Sequence, residues 1–198
     1  MVACQPQKII IFVGGNDALA LVSRTARRFF RVFKRLPCEP TPEWFRTNLH
    51  AIVRRSKAET SAEIALCSLL PIGEDPASTN PFQSELNRRI EEFSAAIRDI
   101  AFEEDVGYIP LYEAILTQIR KSPGRPFTEF LFFPFYRDAF RTLVLRKTPD
   151  EVARMNGWRF HTDGVDLNSR SRFIVADLVQ TFMENFQSYQ LNETGHPQ

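Results

Sequence analysis

Three short apolar runs recur along the chain. They cover residues 8–13 (KIIIFV), 62–70 (AEIALCSLL) and 106–111 (VGYIPL). Each run is too short for a helix, and the first two stop at glycine or proline. This pattern predicts buried strands of the kind found in parallel sheets, where both faces of the strand are covered.

Helical spacing of apolar residues fills the intervals between these runs. A helix is predicted from Asp17 to Leu36, where Pro37 ends it, and the next begins at Thr41-Pro42, an N-cap followed by proline at the first helical position. A third helix has one apolar face, formed by Leu86, Ile90, Phe93, Ile97 and Ile100. Strands that alternate with helices predict an α/β fold with a parallel sheet.

The last predicted helix begins near Asn168. Its expected buried stripe consists of Phe173, Ile174, Leu178, Phe182 and Phe186. Between the third strand and this helix, residues 111–158 are less regular and rich in phenylalanine and proline. They are interpreted as a helical insertion packed on the core, or as a lid or apolar wall of a substrate pocket.

Composition narrows the functional classes. The chain has 198 residues, 43% of them hydrophobic, and 25 Lys and Arg against 24 Asp and Glu, for a net charge of +1. This predicts one globular domain over residues 1–187 with a flexible tail at 188–198, and it argues against a dedicated nucleic-acid binder. No run approaches the roughly 20 apolar residues of a transmembrane span, and the first residues, MVACQPQK, do not resemble a signal peptide. The three cysteines are odd in number and lack metal-type spacing, and no metal or organic cofactor is implied.

Two short segments carry candidate chemistry. The first, Gly14-Gly15-Asn16-Asp17, follows the first predicted strand at the sheet edge where α/β folds bind ligands. The Asn16 amide there could stabilise an oxyanion, or the segment could simply cap the next helix. In the second, residues 162–169 (TDGVDLNS), Asp163 could orient a catalytic base. The alternative is an ordinary Asp-Gly turn before a helix capped by Asn168.

Together and in this order, the two segments resemble the GxND and DxxH blocks of the SGNH/GDSL hydrolase family. Gly14, Asn16 and Asp17 match the first block, and Asp163 with Gly164 matches the start of the second. The resemblance extends over nearly all of residues 8–187. It implies a flavodoxin-like, three-layer α/β/α fold and serine-dependent hydrolysis of acyl or O-acetyl esters. It further implies that Gly14 and Asn16 form the oxyanion hole and that Asp163 is the triad acid.

The chain departs from the family pattern in two places. It contains no GDS block, which carries the family's nucleophilic serine, and only seven residues precede Lys8. We therefore expect the first strand and the serine to be missing from this chain. In addition, Asp166 stands where the family has its general-base histidine, and an aspartate is a much weaker base at neutral pH.

The other nucleophile and base candidates are weaker. His161, two residues before Asp163, could substitute as the base, although a surface or loop position is the plainer expectation for it. His50 and His196 are distant in sequence from both blocks, and Ser68 lacks the sharp turn and the partner that a nucleophile needs.

Three functional hypotheses remain. In the first, the chain is an ester hydrolase domain that is truncated and inactive as it stands. In the second, it is a pseudoenzyme that has lost its catalytic activity and serves as a binding or scaffold domain. The third is attachment to a membrane surface through the basic helix 24–36, whose cations are Arg24, Arg27, Arg28, Arg31, Lys34 and Arg35. A solvated basic face is the alternative for that helix. The expected partner is a small-molecule, lipid or carbohydrate ester, an exposed first strand would favour self-association, and the compartment is not indicated.

Overall fold

A parallel sheet with helices on both faces forms the framework. The computed structural model describes residues 5–33, 38–128 and 132–184, and the side chains of the last range from residue 136 onward. In these ranges the strands are β1 (Lys8–Ile11), β2 (Glu63–Cys67) and β3 (Gly107–Ile109). The helices are α1 (Gly15–Val22), α2 (Arg24–Phe33), α3 (Pro42–Glu59), α4 (Pro81–Glu103), α5 (Leu111–Lys121), α6 (Phe132–Leu143), α7 (Pro149–Met155) and α8 (Ser169–Glu184).

The strands lie in the order β1-β2-β3, and both neighbouring pairs are parallel. Side chains of β2 alternate between two cores, as the pleat requires. Ile64 and Leu66 pack in the larger core with residues of α3 and α4, whereas Ala65 and Cys67 face Leu111 and Phe182 on the other side. This confirms the three-layer α/β/α architecture with a parallel sheet.

The observed strands are shorter than the predicted apolar runs. The first ends at Ile11 rather than at residue 13, and Phe12 and Val13 are 49% and 42% exposed. Among the described strands, β1 pairs only with β2 and forms one edge of the sheet. Self-association through this edge stays a prediction.

The predicted helix from Asp17 to Leu36 is wrong in its continuity. Its described part is two helices, because Ser23 adopts extended backbone angles at the end of α1, and its predicted end at residues 34–36 lies outside the described residues. The Ser23 hydroxyl then accepts a hydrogen bond from the Ala26 amide, as an N-cap of α2 does. The other predicted start is confirmed: the Thr41 side chain caps α3 by accepting from the Trp44 amide, with Pro42 at the first position.

The buried stripe of the last helix is also partly wrong. Phe173 is 75% exposed, whereas Phe182 is fully buried against β3, and Phe186 lies outside the described residues. Ile174 and Leu178 pack against the core as predicted, and the packing of α8 on α5 and β3 adds Val175 and Val179 to the interface. Helical spacing alone does not fix which of two adjacent apolar residues points inward.

The described parts of the segment at 111–158 contain three helices. Ile115 and Ile119 of α5 pack with Phe160, and Val152 and Ala153 of α7 are buried. This confirms the helical interpretation of the insertion. None of the described helices has both the length and the apolar character needed to cross a membrane.

Candidate active site

The DGVD loop lies at the carboxyl edge of the sheet. The amide of Gly73, in the loop after β2, donates to the carbonyl oxygen of Gly164 over 2.7 Å. Carboxyl ends of parallel strands meet at one edge, so Gly14, three residues after the end of β1, belongs to the same edge. The fold thus brings both sequence segments to the side of the sheet where α/β proteins bind ligands.

Asp163 shapes its own loop. Its Oδ1 atom accepts hydrogen bonds from the amides of Val165 and Asp166, at 2.9 and 2.8 Å. Gly164 holds a φ of 99°, and an added Cβ there would lie 2.6 Å from the Trp158 ring. The expected Asp-Gly turn is therefore present. The expected cap is present as well, because Asn168 Oδ1 accepts from the Ser171 amide at the start of α8.

The environment of Asp166 destabilises the charged form of its carboxyl group. Burial raises its pKa above the ordinary 3.8, and the negative charge of Asp163 raises it further. Arg172 and His161 offset this shift only in part. Asp163 and Asp166 are thus electrostatically coupled, as two acidic groups sharing one loop should be.

A cavity of about 780 Å³ opens beside this loop. Asp163 and Asp166 lie in its wall. Its aromatic lining comes from four other parts of the chain, namely Phe29 of α2, Phe127 between α5 and α6, Tyr136 of α6, and Trp158 after α7. The insertion at 111–158 therefore supplies a wall of the cavity, in agreement with its interpretation as the side of a pocket. Such a mixed apolar and polar lining is typical of small-molecule sites.

The GGND segment lies apart from this cavity. Gly14 and Asn16 are not among the described residues that line it, and Asn16 is exposed. Gly14 is the N-cap of α1 and is buried, with a φ of 110°. No side chain caps α1, so the helix-cap interpretation of Asn16 and Asp17 is wrong. Burial raises the pKa of Asp17 despite an opposing backbone hydrogen bond.

A buried ion pair, absent from the sequence-based prediction, fixes the position of the DGVD loop. Glu74 Oε1 accepts hydrogen bonds from the Phe160 and His161 amides, at 2.6 and 2.9 Å, and from Nδ1 of His161. The Arg159 amide donates to both Glu74 oxygens. Glu74 and His161 are both 0% exposed, so His161 is not at the surface, although it lies between α7 and α8 as the loop expectation had it. The one feature of the sequence that could have indicated this pair is the acidic residue Glu74, which closely follows a buried strand.

The ring of His161 is fully engaged in this cluster. Its Nε2 atom donates to the Pro71 carbonyl oxygen at 2.9 Å, while Nδ1 faces Glu74. Both neighbours are hydrogen-bond acceptors, and His161 is not among the described residues that line the cavity. In this arrangement the ring holds two loops together and does not reach toward a substrate.

The remaining candidates belong to other networks. Ser68 is 0% exposed, and its hydroxyl accepts from the Tyr112 amide and lies 3.2 Å from a Glu113 carboxyl oxygen. It is therefore enclosed and has an acidic partner in place of a base. His50 pairs with Glu103 and Glu104 at the far end of α4, and His196 lies outside the described residues.

The sequence matches a protein-family model. Residues 2–131 match the model of the GDSL-like lipase/acylhydrolase family, which is more than half of the chain. The chain belongs to this family. No curated protein sequence matches it.

Solved structures agree with this assignment at the level of the fold. Axe2, an acetylxylan esterase from Geobacillus stearothermophilus, superposes with a TM-score of 0.53 at 14% identity, covering 90% of this chain and 60% of the esterase. A GDSL-like lipase from Parabacteroides merdae gives 0.54 at 17% identity, covering 89% and 60%. LAE5, an α/β hydrolase from the metagenome of Lake Arreo, Spain, gives 0.55 at 11% identity, covering 94% and 63%. The GDSL-like chain thus spans about 60% of the length of such structures.

Proposed function

We propose that this GDSL-like chain contributes the acid loop and the oxyanion side of an ester hydrolase site whose nucleophilic serine is not among its residues. The observation that carries the proposal is Asp163, which lies at the carboxyl edge of the sheet and lines the cavity beside the DGVD turn. The match to the GDSL-like family supports acyl transfer as the reaction class.

The division of roles follows from the chemistry of acyl transfer. A serine hydroxyl needs a base to take its proton, and the resulting oxyanion needs N–H donors. Asn16 and the Gly14 amide are the proposed donors, since both follow β1 at the same sheet edge. Asp163 is the proposed acid that would orient an imidazole at position 166.

In this chain, position 166 does not provide that imidazole. Asp166 cannot hold and return a proton at neutral pH as histidine does, even with its pKa raised by burial and by Asp163. His161 is held between Glu74 and Pro71. These observations favour a second candidate function, in which the domain binds an ester or a related ligand in its cavity without turning it over.

Acetylated sugars are the first substrates to test. Axe2 acts on acetylxylan according to its description, and the cavity here presents Trp158 and Tyr136, flat rings of the kind that pack against sugars. We expect the 198-residue chain to show no hydrolysis of p-nitrophenyl acetate or acetylated xylo-oligosaccharide above the buffer rate. A fluorophosphonate probe should label none of its serines.

The deciding comparison uses the longest protein that the source transcript encodes around this chain. If that protein supplies a serine, Asp166→His should raise kcat by about 10²- to 10⁴-fold, the usual contribution of a general base. Asp99→His, at an exposed position on α4, is the matched control and should change nothing. If Asp166→His leaves the rate at background and no serine is labelled, the hydrolase proposal fails and the binding function is retained.

A further inference from the structure

The helix α6 presents its apolar side to solvent. Tyr136, Phe140 and Leu143 follow one another at spacings of four and three and are 67%, 54% and 79% exposed. Val144 and Leu145, which follow the helix, are 59% and 53% exposed. Surface helices normally place such a stripe against the core, so the orientation of α6 is the reverse of the usual one.

Polar contacts hold α6 in this orientation. Arg137 and Arg141 each donate to the Asn156 side-chain oxygen over 2.8 Å, and the Asn156 amide donates to Asp138 over 2.7 Å. Asn156 directly follows α7 and is buried, so the charged side of α6 faces the protein. A satisfied polar network of this kind fixes which side of the helix points outward.

The helix α2 also exposes apolar side chains, and it borders the same cavity as α6. Val32 and Phe33 are both 70% exposed. The Phe33 ring lies 4.4 Å from the ring of Phe29, which lines the cavity together with Tyr136 and Leu143. The exposed surfaces of α2 and α6 therefore flank one opening, and we call them together the cavity-mouth face.

The charge on the cavity-mouth face is positive. Arg24, Arg28 and Arg31 of α2 are exposed, and residues 24–33 contain no Asp or Glu. Arg27 differs from them, since it donates to the Ala20 and Leu21 carbonyl oxygens at the end of α1. The carboxylate of Glu39 lies 3.8 Å from Arg27 and 3.9 Å from Arg31 and offsets part of this charge, which leaves Arg24 and Arg28 as the main cations of the face. On α6, the single carboxylate among residues 136–143, Asp138, faces Asn156 rather than solvent.

We propose that the cavity-mouth face docks on the surface of an anionic lipid bilayer. Exposed aromatic and aliphatic side chains rimmed by arginines suit the boundary between lipid headgroups and acyl chains, where apolar burial and attraction to anionic lipids act together. A symmetric second copy suits the face less well, because a two-fold contact would set the arginines of one α2 against those of the other.

This placement turns the mouth of the cavity toward the membrane. Phe29, Tyr136 and Leu143 line the same cavity as Asp163. The proposal concerns binding and holds whether or not the site hydrolyses an ester. Failure of the hydrolase assays above would therefore leave it standing.

Vesicle co-sedimentation of the 198-residue chain tests the proposal. One set of vesicles consists of phosphatidylcholine alone. In the other set, about 30% of the lipid is phosphatidylserine, which makes the surface anionic. We expect binding to the anionic vesicles, weakened by high salt, and little binding to the neutral ones. Arg24→Ser with Arg28→Ser should weaken partitioning by about 25-fold, or roughly fivefold for each cation.

Matched control variants distinguish binding through the cavity-mouth face from nonspecific adsorption to vesicles. Leu143→Glu should abolish binding, whereas Phe102→Glu, at a 68% exposed site on the last turn of α4, should not. Arg98→Ser with Arg120→Ser is the charge control, since both residues are exposed on other helices. All of these positions are exposed, so thermal melting should confirm that each variant stays folded.

Three results would overturn the proposal. One is equal binding to neutral and anionic vesicles, and another is equal loss of binding in Leu143→Glu and Phe102→Glu. The third is a dimer in sedimentation velocity that Leu143→Glu dissociates, in the absence of vesicle binding. That result would assign the face to a second copy of the chain.

Discussion

Glu74 and His161 form an ion pair that is sealed from solvent, with Nδ1 of His161 3.1 Å from Oε1 of Glu74. Three consecutive backbone amides, from Arg159 to His161, donate to the same carboxylate. The pair joins the loop after β2 to the strand-like stretch before the DGVD turn. The position of Asp163 therefore depends on two residues 87 positions apart in sequence.

Removal of the Glu74 charge should destabilise the protein strongly. In Glu74→Gln, a buried imidazole and three amides lose their anionic acceptor, a type of change that costs about 3–5 kcal/mol. Glu85→Gln is the control, since its carboxylate pairs with Arg88 and Arg89 at the surface and should cost less than about 1 kcal/mol. Urea unfolding at pH 7 measures both. Equal midpoints for the two variants would contradict the argument.

The contribution of Glu74 should also depend on pH. Burial alone would raise its pKa, but the His161 hydrogen bond, the Phe160 and Arg159 amides and the His161 charge together hold the pKa of Glu74 below the ordinary 4.5. A lowered folded-state pKa means that the stabilisation is complete above pH 4.5 and is lost as the pH falls through the folded-state value. The difference in free energy of unfolding between the parent and Glu74→Gln should be constant from pH 7 to pH 6 and shrink below pH 4.5. A constant difference down to pH 3 would show that Glu74 is not ionised in the folded protein.

The adjacent glycines of the GGND segment should respond in opposite ways to alanine. Gly14 has a φ of 110°, and an added Cβ would lie 2.7 Å from the Phe45 ring. Gly14→Ala should therefore cost about 2 kcal/mol or more, from backbone strain and the clash together. Gly15→Ala meets nothing within 4 Å and lies in the first turn of α1, so it should be neutral or stabilising by up to about 1 kcal/mol. Thermal melts of the two variants, compared side by side, give the test.

The coupling of the two aspartates in the DGVD loop is also testable. Asp163→Asn removes the negative charge that helps to raise the pKa of Asp166, so the pKa of Asp166 should fall. The asparagine oxygen can still accept from the Val165 and Asp166 amides, which keeps the turn intact. Carbon-13 NMR titration of the Asp166 carboxyl measures the shift, and an unchanged value would show that the two groups do not interact.

Local features of the fold were predictable because they depend on neighbours in sequence. The short apolar run at 62–70, which stops at a proline, predicted β2, and Thr41-Pro42 predicted the start of α3. The Gly14 and Asp163 blocks and the cap at Asn168 were visible for the same reason. Each depends on the conformations open to a few adjacent residues.

Tertiary structure decided what depends on distant partners. Glu74 and His161 are a buried pair because two loops pack together in the folded protein. The residues around each of them in the sequence indicate neither its burial nor its partner. The outward apolar side of α6 likewise follows from the Asn156 contacts, which override the usual tendency of apolar residues to face the core. The sequence by itself determined the α/β order of elements, through local propensity and periodicity, and the family, through its match to the GDSL-like model. The shape of the cavity and the partners of its charged residues were set by long-range packing, because side chains far apart in the chain meet only in the folded protein.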